Sequence, residues 1–196
     1  MSWDTEGTKQ KILKAAISEF ALHGPDGTTV DKIAKIAGVN KERIYNYFGA
    51  KRKLFDVVLS NELIKVAQSV PLKSFEEEDI AEYAGRVYDY HCAHPELSRL
   101  LLWEGLIYSS QEVPNENIRC ENYNCKIEAI KKEQDEGRVT DEIEASYLTF
   151  LILALANSWF MLPQVARMFT PIEDIDNPHE KRRAMIIESA KRLLVK

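Results

Sequence analysis

Apolar residues recur at three- and four-residue spacing along nearly the whole chain, and each repeating stretch is cut by glycine or proline. Leu13, Ala16, Ile17, Phe20 and Ala21 form one such stripe, stopped by Gly24-Pro25. Helices patterned this way each bury one face against the others. Alternating Val/Ile/Thr runs bounded by hairpin turns, the mark of strands, are nearly absent. The expected fold class is therefore all-α. With 45% hydrophobic and 29% charged residues among 196, the chain has enough apolar material for a sizeable interior and enough charge to be a globular protein.

The stretch "TTVDKIAKIAGVNKERIYNYFGAKRKLF", residues 28–55, is the densest in local signals. Thr28 followed by Asp31 predicts a capping box for a short helix burying Val30, Ile33, Ala34 and Ala37. Gly38 suits a left-handed stop. Asn40 predicts the cap of a third helix running to about Tyr47, with Ile44 facing inward. A fourth begins near Lys51, carries Leu54, Phe55, Val58 and Leu59, and breaks before Pro71. Two short helices about a glycine turn, packed on an amphipathic first helix, are the sequence form of a helix-turn-helix. Its second helix enters the DNA major groove.

That placement assigns candidate DNA contacts. Asn40 at the cap is itself a candidate contact, and Lys41, Glu42, Arg43 and Asn46 fall on solvent-facing positions behind it. Arginine can bond guanine bidentately, and asparagine can bond adenine. Tyr45, Tyr47, Lys51 and the Thr29 hydroxyl suit phosphate, which positions the protein without specifying sequence. Lys51 also stands at a helix N-terminus, itself an anion site. Charge agrees: residues 1–55 hold ten Lys/Arg and six Asp/Glu, a balance of +4, which leaves −9 for the rest of a chain of net charge −5. A polyanion partner is expected at the N-terminal end.

The same stretch resembles the TetR family of transcriptional repressors. It carries that family's Thr-Thr, Ile-Ala, Ala-Gly-Val, aromatic-x-Tyr-Phe and following Lys and Leu, and the likeness is strong from Lys9 to about Leu59. The chain departs at Glu42-Arg43, where the family commonly has a small residue followed by Thr. The resemblance implies an N-terminal three-helix helix-turn-helix domain, placed at residues 1–55. It also implies a C-terminal helical domain at 56–196 that binds a small effector and forms a homodimer on a double-stranded DNA operator.

The remaining segments are helical too. Residues 76–93, 95–108 and 115–137 each read as one helix, and Thr140 to Leu162 as a long apolar one. Residues 164–178 read as a linker and 179–196 as an amphipathic last helix. Tyr83, Val87, Tyr90, His91, Trp103, Glu104, Tyr108, Tyr123, Phe150, Asn157, Trp159 and Phe160 supply aromatic walls with a few polar groups, the composition of a ligand cavity. The alternative for each is a core position. Glu104 lies within "LLLWEGL", where a carboxylate needs a donor, a ligand cation or water.

Three cysteines, Cys92, Cys120 and Cys125, read as reduced thiols of a cytoplasmic protein. Cys120 and Cys125 match no zinc pattern. His91, Cys92 and His94 could ligate a metal, against the plainer reading that His91 lines a pocket and His94 caps a helix end. No cofactor is expected. Phosphate loops, Gly-x-Ser-x-Gly elbows and His-Glu-x-x-His are absent, which argues against an enzyme. "MSWDTEGTKQ" suggests neither secretion nor import, and the apolar run 147–162 falls short of the roughly 20 residues that cross a bilayer, so no membrane partner is expected. That run is apolar on nearly every side, including Phe150, Leu151, Leu155 and Phe160. With a second stripe through Met185, Ile186, Ala190, Leu193 and Leu194, it predicts a four-helix dimer interface.

Overall fold

The computed structural model describes residues 5–72, 77–109, 111–170 and 177–195. Among the described residues are ten helices and no strand, as the spacing predicts: α1 (Thr5–His23), α2 (Val30–Ala37), α3 (Lys41–Phe48), α4 (Lys51–Ser69), α5 (Glu77–Ala93), α6 (Pro95–Tyr108), α7 (Glu116–Asp135), α8 (Ala145–Met161), α9 (Pro163–Phe169) and α10 (Pro178–Leu194). Asn40 caps α3 as expected, its Oδ1 accepting from the Glu42 amide.

Three local expectations give way to identifiable contacts. Thr29, not Thr28, caps α2: its backbone is extended and its Oγ1 accepts from the Lys32 amide at 3.2 Å. Thr28 instead is buried, donating to Glu19 Oε2 at 2.7 Å. The helix expected from Thr140 starts at Ala145. The Thr140 amide donates to Leu194 O at 2.9 Å and its hydroxyl accepts from the Glu142 amide, holding 140–144 outside the helix. Pro163, the expected stop of the long helix, begins a further one, Pro163–Phe169, that takes up the first part of the expected linker, since its missing N–H has no partner to lose in a first turn. The linker residues 171–176 lie outside the described residues.

The chain forms two compact units, residues 1–65 with 96–114 and residues 66–95 with 115–196. The expected 55/56 boundary therefore does not mark a break in compactness. α4 runs through it because Leu54, Phe55, Val58 and Leu59 are all buried on one stripe. α6, expected in the C-terminal part, packs with the first unit.

In the first unit Ile12, Phe20, Ile33, Ile44, Leu54 and Phe55 are fully buried, and the Phe20 and Phe55 rings meet edge-on at 5.5 Å. In the second, α5 packs on α8 and α10, and α7 packs on α8. Ala81, Ala84, Leu148, Ile152, Ala156, Ala190 and Leu194 belong to its core. This corrects the expected α10 interface stripe: Ile186, Ala190 and Leu194 close the chain's own core, and Met185 is the exposed member. No single helix among the described residues is long and apolar enough to cross a membrane; α8 and α9 reach that only together, with an 89° bend between them.

Candidate functional site

The N-terminal unit sets its surface side chains by short, local bonds. Gly38 ends α2 at φ 66°, a left-handed conformation that costs glycine little, and the Val39 amide returns to Ala34 O. The chain can then restart as α3 within three residues. On α3 only Ile44 is buried. Lys41, Glu42, Tyr45 and Asn46 are exposed, and Arg43 and Tyr47 are half-buried.

Several of these groups have partners in their own chain. Lys41 Nζ lies 3.1 Å from Asp31 Oδ1, and that bond raises the lysine's pKa. Lys51 Nζ donates to Thr28 O at 2.8 Å, so the residue expected on phosphate also ties the start of α4 to the turn before α2. Tyr47 lies beneath Lys9 Nζ, 5.9 Å from the ring centroid. Glu19 organises the back of the motif. Burial pushes its carboxyl up, but the Thr28 hydroxyl and Lys32, whose Nζ is 3.0 Å away, together hold it below the usual range. Glu19 and Lys9 are not legible in the sequence as parts of this arrangement, whereas Thr28 and Asp31 are expected at the start of α2 but as a capping pair, not as partners of Glu19 and Lys41.

The aromatic residues expected to line one cavity are divided between the two compact units. Trp103, Glu104 and Tyr108 belong to the first unit; Tyr83, Val87, Tyr90, His91, Tyr123, Phe150, Asn157, Trp159 and Phe160 belong to the second. Trp103 lies against Gly24 and lines an open groove of about 720 Å³ with Leu22, Arg99, Leu102 and Leu106. Tyr108 donates to Asp56 Oδ1 at 2.6 Å; burial and that carboxylate push its pKa up to about 12. Glu104 is buried. Phe150 is 68% exposed on the outer side of α8, away from the buried positions 148, 152 and 156. Tyr123 is also exposed.

What the second unit does bring together is a stack between α5, α8 and α10. Phe160 lies 5.4 Å from both the Tyr88 and His91 rings, and His179 lies 5.1 Å from Tyr88. Arg182 sits 4.9 Å over the Trp159 ring. Burial, with His94 adding to it, pushes the His91 pKa down to about 4, so the imidazole is neutral at pH 7. Burial also pushes Tyr88 up to about 12 and raises Tyr83 further. Asn157 Oδ1 is buried without a hydrogen-bond partner among the described residues. Tyr88 escaped the sequence reading, although its place three residues before His91 put it on the same helix face. His94 follows the end of α5 with its ring 4.2 Å from Tyr90. Among the described residues no group of three His, Cys, Asp or Glu is placed to hold a metal.

An exposed polar helix behind a capped glycine turn is chemistry for a groove of nucleic acid, and comparison with known proteins agrees. Residues 12–58 match the model of bacterial regulatory proteins of the tetR family, and residues 79–192 match the tetracyclin repressor-like C-terminal domain. The chain belongs to the TetR family. It is a helix-turn-helix transcriptional repressor of that family, which is one of regulators and not of enzymes. The chain is 44% identical over 165 residues to the HTH-type transcriptional repressor SCO4008 of Streptomyces coelicolor, covering 84% of each. It is 28% identical over 155 residues to the repressor NicS of Pseudomonas putida, covering 76% of this chain and 73% of that one. Among solved structures, the putative transcriptional regulator SCO4942 of Streptomyces coelicolor superposes with a TM-score of 0.83 at 28% identity, over 95% of this chain and 98% of that one. The TetR fold also extends to FadR of Bacillus subtilis in complex with stearoyl-CoA, with a TM-score of 0.71 at 15% identity over 95% and 99% of the two chains.

Proposed function

We propose that this TetR-family protein is a cytoplasmic homodimer that binds an inverted-repeat operator and leaves it when a small hydrophobic or aromatic effector binds. DNA reading is assigned to residues 1–55, and effector binding and dimerisation to 56–196. The observation that carries the reading is the exposed face of α3, held by the Asn40 cap and the Gly38 turn. Lys41, Glu42, Arg43 and Asn46 meet base edges, while Thr29, Tyr45, Tyr47 and Lys51 meet phosphate.

Assembly is supported by the outward side of α8, where Tyr147, Phe150 and Leu151 are exposed, together with Met185 on α10. Apolar side chains at helical spacing facing outward suit a two-fold partner, and an inverted repeat needs two heads at fixed separation. Effector binding is supported by the stack of buried Tyr88 and His91 with half-buried Phe160, and by the unpartnered buried oxygen of Asn157 on the same helix as Phe160. The FadR complex shows the same fold holding an acyl-CoA.

Selection from random DNA tests the reading. An inverted repeat should emerge, and its absence would overturn the operator assignment. Lys51→Ala should weaken binding on all sequences and flatten its salt dependence, whereas Arg43→Ala should relax one base position at a cost of about 1–3 kcal/mol. An effector should change Trp159 emission and release DNA together, because release requires different affinity for two conformations. A broad hydrophobic panel that moves neither signal would leave an effector-independent DNA-binding protein.

A further inference from the structure

Position on a helix decides which side chain reaches deepest into a groove. Successive residues turn by about 100°, so with Ile44 pointing into the core, Glu42 and Asn46 lie roughly 160° and 200° away, on the side facing out. Arg43 and Tyr45 flank them at about 100° to either side, and Lys41 turns back toward the core side. The structure agrees: Lys41 is drawn sideways onto Asp31, while Glu42 and Asn46 are exposed. The two most outward groups of the DNA-reading helix are thus the Glu42 carboxylate and the Asn46 carboxamide. Among the described residues that carboxylate makes no salt bridge or hydrogen bond; only the Glu42 backbone amide is engaged, on Asn40 Oδ1.

An anion carried into a groove between phosphate strands is disfavoured by charge and by loss of water unless it meets a donor. At neutral pH a carboxylate only accepts. In the major groove guanine presents two acceptors, thymine an acceptor and a methyl group, and adenine a donor beside an acceptor. Cytosine presents a lone N4 amino donor at the edge, which a carboxylate matches without conflict. A first-turn acid also stabilises a helix through its dipole, but that role is indifferent to DNA sequence.

From this placement, and resting on the DNA-reading function proposed above, we propose that Glu42 is a specificity-determining residue that selects cytosine at one position of each operator half-site. Asn46, one turn further along the same face, reads the neighbouring base pair.

The experiment is selection from random duplex DNA with the full-length wild type, Glu42→Gln and Glu42→Ala, followed by affinity measurements on the enriched site with each base at the candidate position. Thermal melting of all three proteins accompanies it, and only the small fall that loss of a first-turn charge brings is expected, equal in the two variants. The wild type should prefer cytosine there by roughly five- to a hundredfold. Glu42→Ala should lose that preference at that position alone and bind the non-cytosine sites more tightly than the wild type does. Glu42→Gln should move the preference to adenine, whose N6 and N7 match a carboxamide. Wild-type enrichment of a repeat with no cytosine dependent on Glu42, or two variants that keep every wild-type base preference, would overturn the proposal. A wild type that enriches no repeat at all would remove the DNA-reading function as well, which separates the two failures.

Discussion

Around α1–α3 the large side chains Phe20, Ile44 and Phe55 are fully buried, and polar groups such as Glu19, Lys41 and Lys51 have partners in the same chain. Along α8 and α9 the balance is reversed: Tyr147, Phe150, Leu162, Met168 and Phe169 stand more than half exposed. The head buries its largest side chains within the chain, with Leu22 and Ile36 the apolar side chains of α1 and α2 left more than half exposed. The helices α8 and α9 carry apolar surface that a single chain does not cover, and exposed patches of that kind mark contacts with other molecules.

The largest expected effect tests this contrast directly. Leu194 is fully buried, so Leu194→Arg forces a charge into the second unit's core and should abolish its cooperative melt, not merely its assembly. Phe150→Arg alters an exposed position and should leave helix content intact while halving the mass measured in solution. A folded Phe150→Arg protein at wild-type mass, with a dimeric wild type, would remove the α8 face from the interface.

Next is the pH response of the second unit. His91 is held near pKa 4 in the fold against an ordinary 6.5, so between those values the unfolded chain binds the extra proton. Stability should therefore rise with pH across roughly pH 4 to 6.5, by up to about 1.4 kcal/mol per unit, and be unaffected by this group above that window. Denaturation curves of wild type and His91→Phe should diverge only there. Parallel curves would show that His91 titrates normally.

A smaller loss should follow at the end of α1. Gly24 has φ 69°, and a Cβ there would stand 2.8 Å from the Trp103 ring. Gly24→Ala should cost about 1–3 kcal/mol and shift Trp103 emission. Unchanged stability and fluorescence would mean that the ring moves freely aside. The smallest change is Asn40→Ala, which removes one cap and should cost about 1 kcal/mol by chemical denaturation. Its effect on operator affinity should exceed that loss, since the first turn of α3 carries the base-reading groups.

Much of the local architecture follows from the sequence alone, because caps and helical period act within a few residues. Asn40, Gly38 and the bounds Pro95 and Tyr108 of α6 stand where they were expected. The outward face of α3 was equally legible, since one buried residue, Ile44, fixes the direction of all the others. Choices between chemically equivalent neighbours were not. Thr28 and Thr29 can both cap a helix, and the buried carboxylate of Glu19, nine residues away, claims the Thr28 hydroxyl. Leu194 and Phe150 both read as interface residues, because hydrophobicity tells that a side chain avoids water but not which surface it avoids water against. The compact unit in which a helix packs is likewise a long-range property: it assigns Trp103, Glu104 and Tyr108 to one unit and Tyr88, His91 and Phe160 to the other. Tertiary packing decided those partners, since only the assembled chain brings residues distant in sequence to within contact distance.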